Sequence, residues 1–388
     1  NGYSARQEFI GRFVAARRGA LETLGINQGG TVNPAFWAGK RVFVTGHTGF
    51  KGGWLCIWLM MMGARVKGFS LDPPTSPSLF EEADVADGMG SETGDIRDGA
   101  ILTESMLRFQ PDIVIHMAAQ SLVRPSYSDP VSTYETNVMG TINVLQAVRQ
   151  CERVGAIINV TTDKCYENRE WEWGYRENDP MGGYDPYSSS KGCAELLTSA
   201  WRQSYFGPDC RAQLASARAG NVIGGGDWAK DRLVPDILRA FEKSQPVVVR
   251  SPQATRPWQH VLEPLSGYLV LAERLYIDGN RFAEGWNFGP LDDDARSVSS
   301  ILDAMVDLWG AGAKWTLDTS PQLHEATYLK LDISKARRRL SWRPVWSLDA
   351  ALTKIVSWHR NWLDGLNMRS RCEQEILEYM QDANAHQR

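Results

Sequence analysis

A glycine-rich turn near residue 50 constrains the fold of this chain more than any other feature. Residues 45–52 read Thr-Gly-His-Thr-Gly-Phe-Lys-Gly, between a strand predicted at residues 41–45 and a helix predicted at residues 53–62. Glycines at this spacing allow a tight turn, let the backbone approach a pyrophosphate and let helix and strand pack closely. The anion then lies on free N–H groups at the helix start. We therefore predict a dinucleotide site, with a plain strand-to-helix turn as the alternative.

Short apolar runs alternate with helical patterns along most of the chain. Strands are predicted at residues 65–71, 112–116, 156–161, 213–218 and 285–288, and helices at 131–149, 187–203 and 349–363. Such alternation predicts an α/β protein with a Rossmann-type, doubly wound parallel sheet of about seven strands.

Three parts of the chain are distinguished by their patterns. Residues 1–38 form an N-terminal extension of unassigned role, with a helix predicted at residues 4–24. A docking helix or an extension foreign to the native protein is favoured there over a transit peptide, because acidic residues are present and serine is not enriched. Residues 39–223 form the NAD-binding domain, to which a later strand near 285–289 returns. Residues 224–388, with short helices, loops and prolines, form a smaller mixed α/β substrate lobe.

Composition excludes several classes of function. The net charge of −4, from 42 basic and 46 acidic residues, provides no basic field for nucleic acid. Six scattered cysteines without a Cys-x-x-Cys pair predict neither a metal site nor disulfides, and free thiols fit the cytoplasm. No apolar run is long enough to span a membrane.

Tyr187 and Lys191 are the leading catalytic candidates. Four residues apart on a predicted helix, they share one face. A lysine ammonium beside a phenol is expected to lower the tyrosine pKa below its usual value of about 10. Tyr187 could then take a proton from a sugar hydroxyl near neutral pH. Because Tyr-x-x-x-Lys alone is a weak motif, the upstream glycine turn strengthens the prediction that this pair is catalytic.

Asp72 lies twenty residues beyond the turn, at the end of the second predicted strand. A carboxylate there accepts hydrogen bonds from ribose hydroxyls and favours NAD over NADP. Three nearby cations, His47, Lys51 and Lys67, compete with this preference. The alternative for Asp72 is a turn-forming residue before two prolines.

Further dinucleotide contacts are predicted at two strand ends. Asp95 could meet the adenine amino group while Ile96 packs on the ring, although an ordinary loop carboxylate is the alternative. His116 reads as a hydrogen-bonded interior histidine, and the small residues after it let a cofactor lie against backbone. The predicted cofactor-binding residues are Gly46, His47, Thr48, Gly49, Phe50, Lys51, Gly52, Asp72, Asp95, Ile96, Ala118, Ala119, Gln120, Tyr187 and Lys191.

Thr162, Asp163 and Lys164 follow the strand predicted at residues 156–161. The Thr162 hydroxyl could bind a sugar hydroxyl beside Tyr187. Asp163 and Lys164 offer a proton donor and a proton acceptor side by side, with opposite charges holding each other's protonation states. An exposed ion pair is the alternative. The position at the carboxyl edge of the sheet favours ligand binding.

These motifs resemble those of a known family. Residues 45–52, 162–163 and 218–222, with the Tyr187/Lys191 pair, are similar to extended short-chain dehydrogenase/reductases acting on nucleotide sugars. The stretches at 116–125, 163–166, 168–171, 182–187, 224–228, 256–261 and 285–288 resemble its CDP-glucose 4,6-dehydratase branch. The likeness covers about residues 36 to 380. The dTDP-glucose branch carries Asp-Glu where this chain has Asp163-Lys164, which favours the CDP branch.

The resemblance implies a hydro-lyase that uses NAD and converts CDP-glucose to CDP-4-keto-6-deoxyglucose, in deoxysugar biosynthesis for lipopolysaccharide O-antigen. It implies that Tyr187 removes the C4 hydroxyl proton, and that Lys191 lowers the tyrosine pKa and binds the nicotinamide ribose. Lys164 would remove the C5 proton, and Asp163 would protonate the departing C6 hydroxyl. Lysine must be neutral to act as that base.

The resemblance also implies substrate contacts and an assembly. Asn221 and Arg256 would hold the diphosphate, with Arg232 as a second candidate, since guanidinium matches paired phosphate oxygens. The other residues assigned to substrate are Ser121, Arg124 and His260. Relatives pair through helices near 131–149 and 187–203, which implies a homodimer or homotetramer.

Three alternative functions remain open. A nucleotide-sugar 4-epimerase would use Tyr187 and Lys191 without needing Asp163 and Lys164. A dehydratase of another nucleotide-linked glucose would use the same residues. A non-catalytic dinucleotide-binding sensor would need neither pair intact.

Overall fold

The computed structural model describes residues 30–310, 312–318 and 328–386. The helix predicted at residues 4–24 lies outside these ranges. The strands are β1 (Arg41–Thr45), β2 (Arg65–Ser70), β3 (Gly90–Thr93), β4 (Ile113–His116), β5 (Ala156–Val160), β6 (Gln213–Arg218), β7 (Val222–Ile223), β8 (Val247–Val249), β9 (Thr255–Pro257), β10 (Gln259–His260), β11 (Gly285–Asn287), β12 (Ala295–Ser297) and β13 (Trp315–Leu317).

The helices lie between these strands and after them. They are α1 (Pro34–Trp37), α2 (Phe50–Met61), α3 (Leu79–Glu82), α4 (Gly99–Phe109), α5 (Val123–Ser128), α6 (Pro130–Tyr134), α7 (Gly140–Val148), α8 (Pro186–Ser204), α9 (Leu233–Glu242), α10 (Leu262–Asp278), α11 (Val298–Trp309), α12 (Leu348–Leu363) and α13 (Met368–Ala385). No helix among the described residues is long and apolar enough to cross a membrane.

Seven strands form the main sheet, in the order β11-β6-β5-β4-β1-β2-β3, with parallel pairing throughout. This confirms the predicted Rossmann-type fold, and β11 joins the sheet beside β6 as expected. Strands β4, β5 and β6 are buried at every position, as expected for a parallel sheet that is covered on both faces. The strand order reverses between β1 and β4, and such a switch point opens a crevice at the carboxyl ends of the strands.

The predicted elements differ from the observed ones mainly at helices. Helix α2 begins at Phe50 rather than at residue 53, because Gly49 already takes the cap position. The helix predicted at 131–149 is divided by a π-helical segment, Glu135–Met139, between α6 and α7. The prediction of short helices after residue 224 misses α10 and α13, which have 17 and 18 residues, whereas α12 confirms the helix predicted at residues 349–363. Helix α10 is buried on most sides, so it lacks the amphipathic pattern by which surface helices are recognised.

Of the four hydrophobic cores among the described residues, two contain the C-terminal helices. The larger core joins side chains of β1 and α2 to those of α10 and α13, so the C-terminal helices pack on the main sheet. The smaller core lies among α9, α11 and α12 and is closed by β8 and β9. The smaller core forms one side of the crevice at the carboxyl edge of the sheet.

Candidate active site

The glycine turn connects β1 to α2 and leaves no room for a side chain at Gly46 or Gly52. A Cβ on Gly46, whose φ is +79°, would lie 2.7 Å from the Ala118 nitrogen, and one on Gly52 would lie 2.1 Å from the Gly46 oxygen. Gly49 caps α2 without a side-chain hydrogen bond. The first-turn N–H groups of α2 are therefore available to an anion. This cradle fits a dinucleotide pyrophosphate, as the sequence predicts.

Thr48 ties the turn to the end of β2. Its hydroxyl donates to the Leu71 carbonyl at 2.8 Å and lies 2.8 Å from the Ser70 hydroxyl. Asp72 is exposed just beyond, where it accepts a 3.4 Å hydrogen bond from Thr93. The structure thus places a carboxylate beside the turn, and its ribose role stays a prediction.

The cations expected to compete with Asp72 are directed elsewhere. The His47 ring is fully buried, with Nε2 2.7 Å from the Ser91 hydroxyl. Burial, with Lys67 nearby, lowers the His47 pKa to about 4, so the ring is neutral at pH 7. Lys67 forms an ion pair with Glu92 at 2.6 Å. The His47 ring is therefore enclosed by the protein, and the predicted place of His47 in the cofactor-binding turn stays a prediction.

The Lys51 side chain reaches across to α10, and its predicted role in cofactor binding stays a prediction. Its Nζ donates to the Tyr268 hydroxyl at 3.0 Å. Burial lowers the Lys51 pKa to about 7, helped by Lys191 and Arg232 and opposed by Asp163. The amine therefore lies among the catalytic candidates. Beside it in the turn, the Phe50 ring packs against Gly224.

At the far end of the crevice, an open cavity of about 700 Å³ is lined by Asp95, Arg97, Glu135 and Met139, among others. Asp95 accepts hydrogen bonds from the Arg97 guanidinium, which lower the Asp95 pKa. Ile96 is only 3% exposed, and its side chain packs against Gly140 of α7. Helix α7 covers part of the Ile96 side chain, and its predicted packing on adenine stays a prediction.

The loop after β4 is held by its own polar side chains. His116 is buried, with Nδ1 2.7 Å from the Thr45 hydroxyl and Nε2 3.1 Å from the Thr141 hydroxyl. This confirms an interior histidine. The Ala118 N–H donates to Thr45 at 3.2 Å, and Ala119 follows it, half-buried.

Gln120 shapes this loop rather than facing the crevice. Its side-chain amide donates to the Leu122 carbonyl at 3.0 Å and to the Thr133 hydroxyl at 3.1 Å. Asn137, which the sequence analysis missed, accepts from the Gln120 N–H and donates to Ser190 of α8, both at 2.9 Å. The π-helical segment that places Asn137 inward has no sequence signal that we recognise.

Tyr187 and Lys191 lie on one face of α8, which Asp185 caps by accepting from the Ser188 N–H at 2.9 Å. Both side chains are buried. Burial raises the Tyr187 pKa to about 12, while a hydrogen bond with Thr162 opposes this. Burial lowers the Lys191 pKa to about 8. The predicted depression of the tyrosine pKa is therefore wrong for this structure, because burial outweighs the neighbouring charges.

A buried ion pair supports the same helix. Glu195 lies one turn beyond Lys191 and meets Arg218 of β6 at 2.7 Å, with side chains only 3% and 5% exposed. Arg218 also donates to the Tyr166 hydroxyl at 2.6 Å. Glu195 was missed, although its spacing of four residues from Lys191 places it on the same face.

Thr162 and Asp163 stand directly after β5. The Thr162 hydroxyl donates to Asp163 at 2.9 Å, and the other carboxylate oxygen lies against Gly220 without a hydrogen-bond partner among the described residues. Lys164 is half-buried in the same 3-10 turn. No ion pair joins Asp163 to Lys164 in the described part of the chain, and Asp163 is buried, which disfavours the alternative of an exposed ion pair; the predicted roles of the two residues stay predictions.

Three of the predicted substrate residues meet at the mouth of the crevice. Arg232 pairs with Asp227 at 2.9 Å and donates to the Ser121 hydroxyl at 3.4 Å. Arg124 pairs with Asp231 at 2.8 Å. The positive charge of Arg232 also opposes the rise of the Tyr187 pKa, because it favours the phenolate.

The remaining predicted substrate residues differ in how deeply they are buried. Asn221, with φ of +43°, and Arg256 of β9 are both half-buried. His260 is fully buried instead, with Nε2 3.0 Å from Glu375 and its ring 5.0 Å from that of Trp346. The prediction that His260 binds substrate is wrong, because α2, α13 and the Trp346 segment cover this end of β10.

Within the described residues, no group of three or more metal-binding side chains is suitably placed for an ion. All six cysteines are free. A cavity of about 340 Å³ near Trp58, Arg343 and Tyr379 contains none of the predicted site residues.

A parallel sheet with a glycine turn at its switch point, followed by a buried Tyr-x-x-x-Lys pair, defines a dinucleotide-dependent enzyme of the short-chain dehydrogenase/reductase class. The sequence matches the GDP-mannose 4,6 dehydratase family over residues 43–355. The chain belongs to this family of extended short-chain dehydrogenase/reductases.

Its relatives include well-covered full-length proteins. The chain is 60% identical over 353 residues to CDP-glucose 4,6-dehydratase of Salmonella typhimurium, covering 90% of this chain and 98% of that protein. It is 25% identical over 346 residues to dTDP-glucose 4,6-dehydratase of Xanthomonas campestris pv. campestris, covering 83% and 95%.

Solved structures share the fold. DesIV, a dTDP-glucose 4,6-dehydratase from Streptomyces venezuelae with NAD and TYD bound, has a TM-score of 0.71 at 23% identity, covering 84% of this chain and 98% of that one. UDP-glucose 4-epimerase of Thermus thermophilus in complex with NAD has a TM-score of 0.71 at 23% identity, covering 82% and 99%.

Proposed function

We propose that this protein is an NAD-dependent dehydratase that converts CDP-glucose to CDP-4-keto-6-deoxyglucose. The observation that carries the proposal is the position of Thr162, whose hydroxyl donates to Asp163 at 2.9 Å and also favours the Tyr187 phenolate. A group suited to sugar oxidation and a group suited to loss of water therefore share one centre. The 60% identity to the Salmonella CDP-glucose 4,6-dehydratase supports the choice of nucleotide.

The crevice has features suited to NAD. The cradle at Gly46 and Gly52 would receive the pyrophosphate, and Asp72 would accept hydrogen bonds from the adenosine ribose. Lys191 would hold the nicotinamide ribose. Bound NAD would supply a hydride acceptor for C4, a hydride donor for C6 and a positive ring charge that favours the Tyr187 phenolate.

Three side chains of this centre each carry out a different proton transfer. The Tyr187 oxygen takes the proton of the C4 hydroxyl when C4 is oxidised. The C4 ketone acidifies the C5 hydrogen, which the Lys164 amine removes as a proton. A carboxyl oxygen of Asp163 gives its proton to the departing C6 oxygen, and water leaves. Lys164 returns its proton to C5 when C6 is reduced. Burial of Thr162, Asp163 and Tyr187 excludes competing water.

Charged groups at the mouth would receive the diphosphate. Arg232 already lies beside Tyr187, and Ser121 and Arg124 border it through hydrogen bonds and an ion pair. Asn221 and Arg256 complete the proposed contacts. Guanidinium groups match paired phosphate oxygens, so this set would orient the sugar towards the phenol.

We also propose a homo-oligomer in the cytoplasm. Val131, Met139 and Leu196 lie in the segments predicted to form the interface and are 66%, 51% and 62% exposed. Apolar side chains at such exposure favour a protein interface. Six free cysteines fit a reducing compartment. Sedimentation of wild type against Leu196→Glu tests the interface, since the variant should shift to smaller species.

Incubation with NAD and either CDP-glucose or dTDP-glucose tests the activity. We expect CDP-glucose to give the 4-keto-6-deoxy product, detected by mass spectrometry as loss of water, with dTDP-glucose reacting far more slowly. Asp163→Asn should stop water loss while C4 oxidation continues. Interconversion of CDP-glucose and CDP-galactose without water loss would support an epimerase, and NAD binding without any turnover would support a sensor.

A further inference from the structure

Gly220 is a buried residue shortly after β6, at a position where the backbone itself does not require glycine. Its φ lies outside the left-handed region that favours glycine, unlike the φ of Gly46. A Cβ built on Gly220 would lie 1.8 Å from Oδ2, 2.2 Å from Cγ and 2.7 Å from Oδ1 of Asp163, which are the nearest atoms outside its chain neighbours. The Asp163 carboxyl therefore occupies the place where a side chain of residue 220 would begin.

Hydrogen bonds hold the backbone on both sides of this contact. The Gly220 carbonyl accepts from the side-chain amide of Gln259, a buried residue, at 3.1 Å. On the other side, the turn Asp163–Cys165 is followed directly by Tyr166, whose hydroxyl donates to the buried Asn287 side chain at 2.7 Å. Neither backbone can shift without breaking such bonds, so a clash at residue 220 should be relieved by rotation of the Asp163 side chain.

Two contacts set the direction of the Asp163 carboxyl. The Thr162 hydroxyl donates to Oδ1 at 2.9 Å, and Oδ2 lies against Gly220. The residue is only 2% exposed, so these contacts rather than solvent determine where the carboxyl lies. Asn221, a proposed diphosphate contact, comes next in the chain. Gly220 thus adjoins both the proposed acid and a proposed phosphate contact.

We propose that Gly220 is a positioning residue for the loss of water: because it has no side chain, the Asp163 carboxyl can take the direction from which it protonates the C6 oxygen. The inference rests on the proposed dehydration. In that step the C5–H and C6–O bonds break and a C5–C6 double bond forms. Lys164 receives the C5 proton, and the Asp163 proton leaves with the C6 oxygen as water. The preceding oxidation at C4 uses Tyr187 and does not involve this carboxyl.

The size of the effect follows from the contact distance. In Gly220→Ala, Oδ2 must move by about 1.2 Å to stand 3.0 Å from the new methyl carbon. A misplacement of about 1 Å in a reacting group costs up to ~10²-fold in rate. The group that moves is the end of a flexible side chain, so the variant should fold with a melting temperature close to that of wild type.

Stopped-flow mixing of the NAD-loaded enzyme with CDP-glucose separates the two steps, since NADH absorbance rises on C4 oxidation and falls when C6 is reduced after water loss. For Gly220→Ala we expect the rise to change by less than about threefold and the fall to slow by roughly 100-fold. KM for CDP-glucose should stay near the wild-type value, because the backbone at Asn221 is not displaced. Gly207→Ala, whose methyl group meets nothing within 4 Å, is the matched control.

A double variant tests whether Gly220 acts through Asp163. In Asp163→Ala the carboxyl is absent, so adding Gly220→Ala should change neither the melting temperature nor the residual rate of water loss, measured by mass spectrometry over hours. A further loss of roughly 100-fold in that background would overturn the inference. Equal slowing of both phases, an unchanged fall, a raised KM with a normal fall, or failure of Gly220→Ala to fold would overturn it too. Failure of wild type to form any keto product would refute the proposed function instead.

Discussion

Replacing Glu195 by Gln tests how the buried ion pair supports the catalytic helix. The Glu195 carboxylate lies 2.7 Å from the Arg218 guanidinium and also accepts from the Ser216 hydroxyl at 2.7 Å. Glutamine nearly preserves the shape but leaves Arg218 charged, buried and without its anion. Breaking a buried pair from one side costs about 3–5 kcal/mol. We expect the free energy of unfolding, measured with guanidinium chloride, to fall by that amount.

The same substitution should move the pH dependence of activity. Glu195 raises the Lys191 pKa against burial, which by itself lowers it. Without Glu195 the Lys191 pKa falls below about 8, so Lys191 loses its charge at a lower pH. If that charge holds the nicotinamide ribose, the alkaline limb of kcat/KM should shift to lower pH. Rates measured from pH 6 to 10 would locate this limb.

A double variant separates the two effects. Glu195→Gln with Arg218→Met removes both charges, so no ion remains buried alone and much of the lost stability should return. Glu195 is still absent, and the alkaline limb should remain shifted. The reasoning is refuted if the single variant loses less than about 1 kcal/mol, or if the double variant is no more stable than the single.

Further substitutions test the turn, the misassigned histidine and the buried imidazoles. Gly52→Ala places a methyl group 2.1 Å from a backbone oxygen and should raise the NAD dissociation constant more than about tenfold, whereas Gly207→Ala, which meets nothing within 4 Å, should not. His260→Gln should lower the unfolding free energy by ~1–3 kcal/mol with KM for CDP-glucose within about twofold; a large rise in KM would restore its role in substrate binding. Burial lowers the pKa of His47 to about 4 and of His116 to about 3, so below pH 6.5 the unfolded chain binds more protons. Stability measured in urea should therefore fall with falling pH by up to ~1.4 kcal/mol per pH unit for each histidine, and an equal slope in a His116→Asn variant would contradict this.

Much of the parallel sheet was predictable, because its strands are buried on both faces and bounded by turn residues. The glycine turn was predictable for a steric reason, since residues such as Gly52 leave no room for a side chain. The four-residue spacing also correctly predicted that Tyr187 and Lys191 lie on one face of a helix. These features depend on residues that are neighbours in the chain or repeat along one element.

Other features depend on contacts between distant segments, which spacing cannot reveal. His260 was assigned to substrate, yet its partner Glu375 lies on a helix more than a hundred residues later. The Tyr187 pKa was expected to fall, but the tertiary fold buries the phenol and raises it to about 12. Lys51 was assigned to the cofactor, although Tyr268 of α10 redirects its amine.

The shared core of β1, α2, α10 and α13 has a consequence for engineering this enzyme. The Tyr379 ring of α13 contacts the Trp58 ring of α2 edge to face, and the Tyr379 hydroxyl donates to the Glu263 carboxylate of α10 at 2.7 Å. Cutting the chain before Met368 would remove α13, which packs in the larger core against the nucleotide-binding half of the protein. That tail supplies none of the proposed catalytic groups. Truncations and chimaeras that treat the tail as dispensable should yield aggregating, inactive protein.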